Sequence, residues 1–170
     1  MAYSIMPRRS RKEILFAWLL FFASLFRIQG EDHMDNQEFT LISASNELGR
    51  NFIKVMKATG EPVAALVNNV HQQREMDELG INTIVRVDTK NDSETLFPPV
   101  NIGKVYLFED SLPLICRYMI ICRPWTSKKI FVITKTGNIP SVYKKLGADH
   151  IVLTNGKNVS FLFGMQLDGE

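Results

Sequence analysis

Short apolar runs alternate with segments of three- and four-residue periodicity along most of this chain. Phe39 to Ile42 is the first run, and a small polar turn, Ser43 to Asn46, follows it. Leu48, Phe52, Ile53, Val55 and Met56 then recur at the spacing of a helix that packs one face on a core. Gly60, Glu61 and Pro62 stop that helix, and Val63 to Val67 is a second apolar run with strand composition. Strand, helix and strand in this order make a βαβ unit. Units of this kind bind ligands at the turn after the first strand.

The pattern continues. Val70 to Leu79 is polar and predicts a short exposed helix closed by Gly80. The β-branched residues between Asn82 and Asp88 predict a third strand. Lys90 to Pro99 is a loop with one helical turn around Glu94 to Leu96, and Lys104 to Phe108 is a fourth strand. Leu112 to Cys122 is strongly apolar, with Pro113 where a helix tolerates proline, and predicts a helix buried over most of its surface and ended by Pro124. Ile130 to Thr134 is the clearest strand, and Ile139 to Leu146 a short helix closed by Gly147. His150 to Leu153 and Val159 to Phe163, joined by Asn155-Gly156, predict a closing antiparallel hairpin. The whole is an α/β protein with a mainly parallel sheet and helices on both faces.

Residues 1–33 do not fit this pattern. Arg8, Arg9, Arg11 and Lys12 precede the apolar stretch Ile14 to Phe26, which is short for a membrane span of about 20 residues. The segment reads as a signal peptide with a site at Ile28-Gln29-Gly30, as a membrane anchor, or as upstream sequence translated only on paper. The third reading is favoured because a strand starts soon after Met34, and because residues 30–34 can be encoded with GGAGG just before an ATG. On that reading residues 34–170 form a single cytoplasmic domain. The alternatives are export, or membrane attachment through residues 8–26.

Composition adds little to the functional picture. At 45% hydrophobic and 22% charged the chain is ordinary for a globular domain, and a net charge of +2 gives no case for nucleic acid. Cys116 and Cys122 diverge on a helix and lack metal-site spacing, so they read as thiols in a reducing compartment. His33, His71 and His150 do not fall at metal-ligand spacing either. Glu109 and Asp110 follow the fourth strand, where paired carboxylates could bind a cation, although a solvated loop is the simpler reading.

The first turn carries the chemistry. Ser43-Ala44-Ser45-Asn46-Glu47-Leu48-Gly49 resembles the Gly-Ala-Thr-Gly-x-x-Gly turn of the NAD(P)-binding Rossmann proteins of the atypical short-chain dehydrogenase group, including its NmrA-like branch. Gly49 matches the last glycine, while Ser43 and Asn46 replace the other two. The likeness extends over Glu38 to Ser111. Asn68 falls where the family often has an arginine against the NADP phosphate, Asp88 is similar to the aspartate after its third strand, and VYLFEDS stands at its fourth.

The resemblance implies a Rossmann-like fold and a cofactor, NAD or NADP. It would be held by Ser43, Ser45, Asn46, Glu47, Leu48 and Gly49 at the turn, with Asn68 near the ribose and Asp88 near the adenine. Arg50 or Arg74 could replace the arginine missing at Asn68. Ser45 or Asn46 is equally readable as a plain helix N-cap.

The wider family reduces substrates with a Tyr-x-x-x-Lys pair, whose lysine lowers the tyrosine pKa. Tyr106, Tyr118 and Tyr143 are followed four residues on by Asp110, Cys122 and Gly147, and Tyr3 lies in the leader. The expectation is therefore a degenerate dinucleotide-binding or sensing protein without tyrosine-dependent chemistry. The alternative is a cofactor-free interaction module in which Leu112 to Cys122 forms a homodimer interface.

Overall fold

The computed structural model describes residues 37–90, 97–137, 139–155 and 161–162. The chain divides into two units, residues 1–36 and 37–170, and every described residue belongs to the second. Its elements are β1 (Glu38–Ser43), α1 (Glu47–Ala58), β2 (Val63–Val67), α2 (Val70–Glu78), β3 (Thr83–Arg86), β4 (Asn101–Phe108), α3 (Leu112–Cys122), β5 (Ile130–Thr134), α4 (Pro140–Lys145) and β6 (His150–Leu153). A 3-10 turn, Arg123–Trp125, follows α3. Among the described residues no helix is long and apolar enough to cross a membrane.

The strands form one sheet of order β3-β2-β1-β4-β5-β6, and each neighbouring pair is parallel. Chain order reverses between β1 and β4, which makes their C-terminal ends the switch point of the sheet. Parallel strands buried on both sides read as continuous apolar runs. β2 and β5 accordingly are buried at every position.

Alternation along the strands builds two cores. Ile42, Ala65, Tyr106 and Ile133 face α1 and α2, where Phe52, Ile53, Met56 and Met76 meet them. Leu41, Leu66, Val105, Leu107 and Val132 face the other way, onto Ile115, Tyr118, Met119, Cys122 and Tyr143 of α3 and α4. Phe52 is the pivot of the first core, its ring centroid 5.0 Å from Tyr106 and 5.7 Å from Phe108. Burial of one such side chain stabilises the fold by about 1.5–3 kcal/mol.

Two expectations need correction. β6 is parallel to β5, with His150 opposite Phe131, because α4 returns the chain before β6 begins. Phe161 and Leu162 are helical, and Leu162 is buried in the core under α1, so the antiparallel hairpin does not form there. Gly156 of its turn, like the helical turn expected at residues 94–96, lies outside the described residues. Helix α3 is also less covered than its composition predicts, with Leu112 and Ile120 38% and 51% exposed on its outer side. The sheet occupies only one face of the helix, and Ile115, Tyr118, Met119 and Cys122 fill that face.

Candidate functional site

Helix α1 starts at the switch point. Asn46 is its N-cap, with Oδ1 accepting the Gly49 N–H at 3.0 Å and Nδ2 donating to the Glu109 carbonyl at 2.9 Å. Ser45 Oγ donates to the Phe108 carbonyl at 3.3 Å. The turn is thereby tied across to the end of β4. Ser43 is fully buried, and its Oγ accepts the Phe108 N–H at 2.7 Å, so its hydroxyl joins β1 to β4 below the open edge.

Gly49 has a packing reason to be glycine. A Cβ there would lie 2.1 Å from the Ser43 carbonyl oxygen. Its place in the turn is the close approach of helix to strand that the last glycine of such motifs provides.

Leu48 is buried by its side chain, whereas Glu47 is exposed in the first turn. The first N–H groups of a helix have no intrahelical partner, and the Asn46 side chain takes only that of Gly49. The N–H groups of Glu47 and Leu48 are therefore the backbone donors at this end. They would meet a pyrophosphate beside the Glu47 carboxylate and the Ser45 and Asn46 side chains, where the family's glycines leave bare backbone.

Asn68 and Asp88 come together in a second part of the edge. With Asn69, Val70, Arg86, Val87, Thr89 and Lys90 they line a cleft of about 780 Å³ beyond the ends of β2 and β3. Asn69 caps α2 by accepting the Gln72 N–H at 2.9 Å, and its Nδ2 donates to Asn68 Oδ1 at 2.8 Å. Asp88 Oδ1 accepts the Lys90 N–H at 2.8 Å, which fixes the turn after β3. The cleft has room for a nucleoside-sized group, and amide and carboxylate groups stand on its walls. Arg50 is not part of it. That guanidinium lies 3.8 Å from Glu75 and 3.4 Å from the Ala44 carbonyl, linking α1 to α2. The basic residues in the cleft are Arg86 and Lys90, which the sequence reading passed over although Arg86 ends a strand at the ligand-binding edge.

A third group gathers where β4 and β5 end. Glu109 Oε2 accepts from Thr134 Oγ1 and, at 3.5 Å, from Thr136 Oγ1. Glu109 is thus half-buried and bonded, and only Asp110 fits the solvated-loop expectation. The Tyr143 hydroxyl is buried beside Glu109 and Thr134 without a well-formed hydrogen bond. Burial first, and then Glu109, push its pKa up; burial and then the Glu109 charge do the same for Cys116. The pairing of Phe108 with Ile133 is the signal that would have placed Glu109 against Thr134. Among the described residues no cluster of three or more His, Cys, Asp or Glu side chains could hold a metal ion.

No family model matches the chain, and no curated protein matches it. Solved structures do. The NAD(P)-binding domain of an exopolyphosphatase-related protein from Archaeoglobus fulgidus aligns over 76% of this chain and 94% of its own, with a TM-score of 0.55 and 15% identity. The TrkA-N domain of the inner membrane protein ybaL from Escherichia coli aligns over 79% and 98%, with a TM-score of 0.55 and 13% identity. The GsuK channel bound to NAD aligns over 82% of this chain and 27% of that chain, with a TM-score of 0.54 and 11% identity. At such identities the likeness establishes the fold, a Rossmann domain.

Proposed function

We propose that this domain is a degenerate NAD(P)-binding Rossmann protein, akin to the NmrA-like branch, which binds or senses a dinucleotide without tyrosine-dependent hydride transfer. The observation that carries the reading is the convergence of Asn68 and Asp88 in one cleft at the ends of β2 and β3. That cleft shares the C-terminal edge with the capped start of α1 at the switch point. The adenosine half would lie in the cleft, with Asn68 toward the ribose and Asp88 toward the adenine amino group. The pyrophosphate would pass over the N–H groups of Glu47 and Leu48, with Ser45 and Asn46 beside it and Gly49 holding the helix close. The NAD(P)-binding and NAD-bound neighbours support the same reading. Free thiols at Cys116 and Cys122 suit a cytoplasmic setting.

A thermal-shift titration of the full chain with NADH and NADPH tests this. Ligand at about a hundred times its dissociation constant stabilises the native state by about 2.7 kcal/mol. The expected result is a dose-dependent rise in melting temperature that Asn68→Trp, which fills the cleft, abolishes. If neither nucleotide moves the melt, the reading fails.

The second reading, a cofactor-free module, rests on the exposed apolar side of α3, where Leu112, Cys116 and Ile120 recur at one-turn spacing. It predicts a dimer in light scattering that Ile120→Glu dissociates. A monomeric wild-type chain would sink it.

A further inference from the structure

The cleft beyond β2 and β3 gathers two basic side chains, Arg86 and Lys90. Among the described residues neither Arg86 nor Lys90 has a side-chain hydrogen-bond or ion-pair partner, although both line the cleft. Several other basic side chains are bonded within the fold. Arg50 meets Glu75, Arg123 meets Asp149 at 3.2 Å, and Lys57 Nζ donates to the Leu79 and Gly80 carbonyls.

Three further features make the place suited to an anion. Arg86 pairs in register with Val67, directly before Asn68, so the guanidinium is carried to the end of the second strand. It alternates with Val85, which packs under α3, and so shares the sheet face of α2. The N-terminus of α2 opens into the same cleft at Asn69 and Val70, and the positive end of a helix dipole favours negative charge. The single carboxylate among the lining residues, Asp88, is engaged with the Lys90 N–H.

In dinucleotide-binding folds an acidic residue at the end of the second strand hydrogen-bonds a free ribose 2′-hydroxyl, whereas a nearby arginine accommodates a 2′-phosphate. Here that strand end is Asn68-Asn69, an uncharged amide pair. Resting on the dinucleotide reading above, we infer that the cleft selects a 2′-phosphorylated adenosine, making NADP(H) rather than NAD(H) the ligand. Arg86 and Lys90 hold the phosphate, and Asn68 and Asn69 donate amide N–H groups to it. Arg86 and Lys90 are thus specificity-determining residues, in place of the arginine that the resemblance puts at Asn68 and for which Arg50 or Arg74 could substitute.

The test is calorimetric titration of the full chain with NADPH and with NADH, repeated on Arg86→Ala and Lys90→Ala. Both side chains are exposed, so the variants should melt with the wild type. NADPH is expected to bind at least about tenfold tighter than NADH, as charge-assisted contacts to a phosphate allow. Arg86→Ala should remove most of that gap by weakening NADPH while leaving NADH within about twofold, and added salt should narrow the gap in the wild type. Equal affinities, a preference for NADH, or an equal loss of both ligands in Arg86→Ala would overturn the inference and leave dinucleotide binding standing. Failure of both nucleotides to bind would overturn the dinucleotide reading itself, and this inference with it.

Discussion

The two halves of the sheet's C-terminal edge treat their polar groups in opposite ways. Beyond β2 and β3, Asn68, Asn69 and Asp88 bond to neighbours in their own turns, and the cleft between those turns stays open. Beyond β4 and β5, Glu109, Thr134 and Thr136 bond to one another across the strand ends, with Tyr143 buried against them. The first arrangement leaves cations available to a ligand. The second uses its carboxylate to hold β4 to β5, so that end of the edge is built for stability.

The largest effect that would break this contrast is expected at the hinge between the halves. Gly49→Val drives a side chain into the Ser43 carbonyl and must lift α1 from the seam. Urea denaturation should show a loss of about 3 kcal/mol or more, with nucleotide binding lost alongside. Gly49 substitutions are consequently poor probes of phosphate contact alone.

Alkaline pH should act next. Burial pushes the Tyr106 pKa from 10.0 up to about 12, and raises those of Tyr118 and Tyr143 as well. The unfolded chain ionises its tyrosines first and so binds fewer protons than the folded one. The stabilisation is complete below pH 10 and declines as pH rises through about 12. Tyr106 alone accounts for a loss on the order of 2–3 kcal/mol over that window. Denaturation midpoints that stay level between about pH 9 and 11.5 would contradict this.

Thr134→Val then loosens the β4–β5 end by removing the hydroxyl shared by Glu109 and Thr136, at a cost of about 1–3 kcal/mol. Its effect on nucleotide affinity should be nil, and a change in affinity would move the ligand toward β5. Smallest is Asn69→Ala, which deprives α2 of its cap and should cost about 1 kcal/mol in the same denaturation assay.

Sequence reading recovered the frame because the frame is written in period. The runs at Val63–Val67 and Ile130–Thr134 and the helix over Leu112–Cys122 coincide with the observed elements. Gly60, Gly80 and Gly147 close helices with φ values of +81°, +66° and +99°. The closing hairpin is expected because Asn155-Gly156 is a strong local turn signal. Pairing direction, however, is set by where α4 delivers the chain. Asn68 and Asp88 could be brought together by resemblance, since strand ends two elements apart obey a known order. Arg86 escaped notice because a lone basic residue closing a strand has the same appearance whether it faces solvent or a ligand. The bonding of Glu109 to Thr134 depends on β4 lying beside β5, a relation that no local window contains.

The bond between Ser43 and the Phe108 N–H also has a consequence in time. The residues it joins are 65 apart in sequence, whereas β1, β2 and β3 meet through short βα units. Closing so long a loop must precede any reward from the β1–β4 pairing, and folding slows as such non-local contacts dominate. The β1–β2–β3 half is thus expected to assemble early, and the centre of the sheet to zip afterwards. Pulse-labelled hydrogen exchange during refolding would show the amides of β2 protected before that of Phe108.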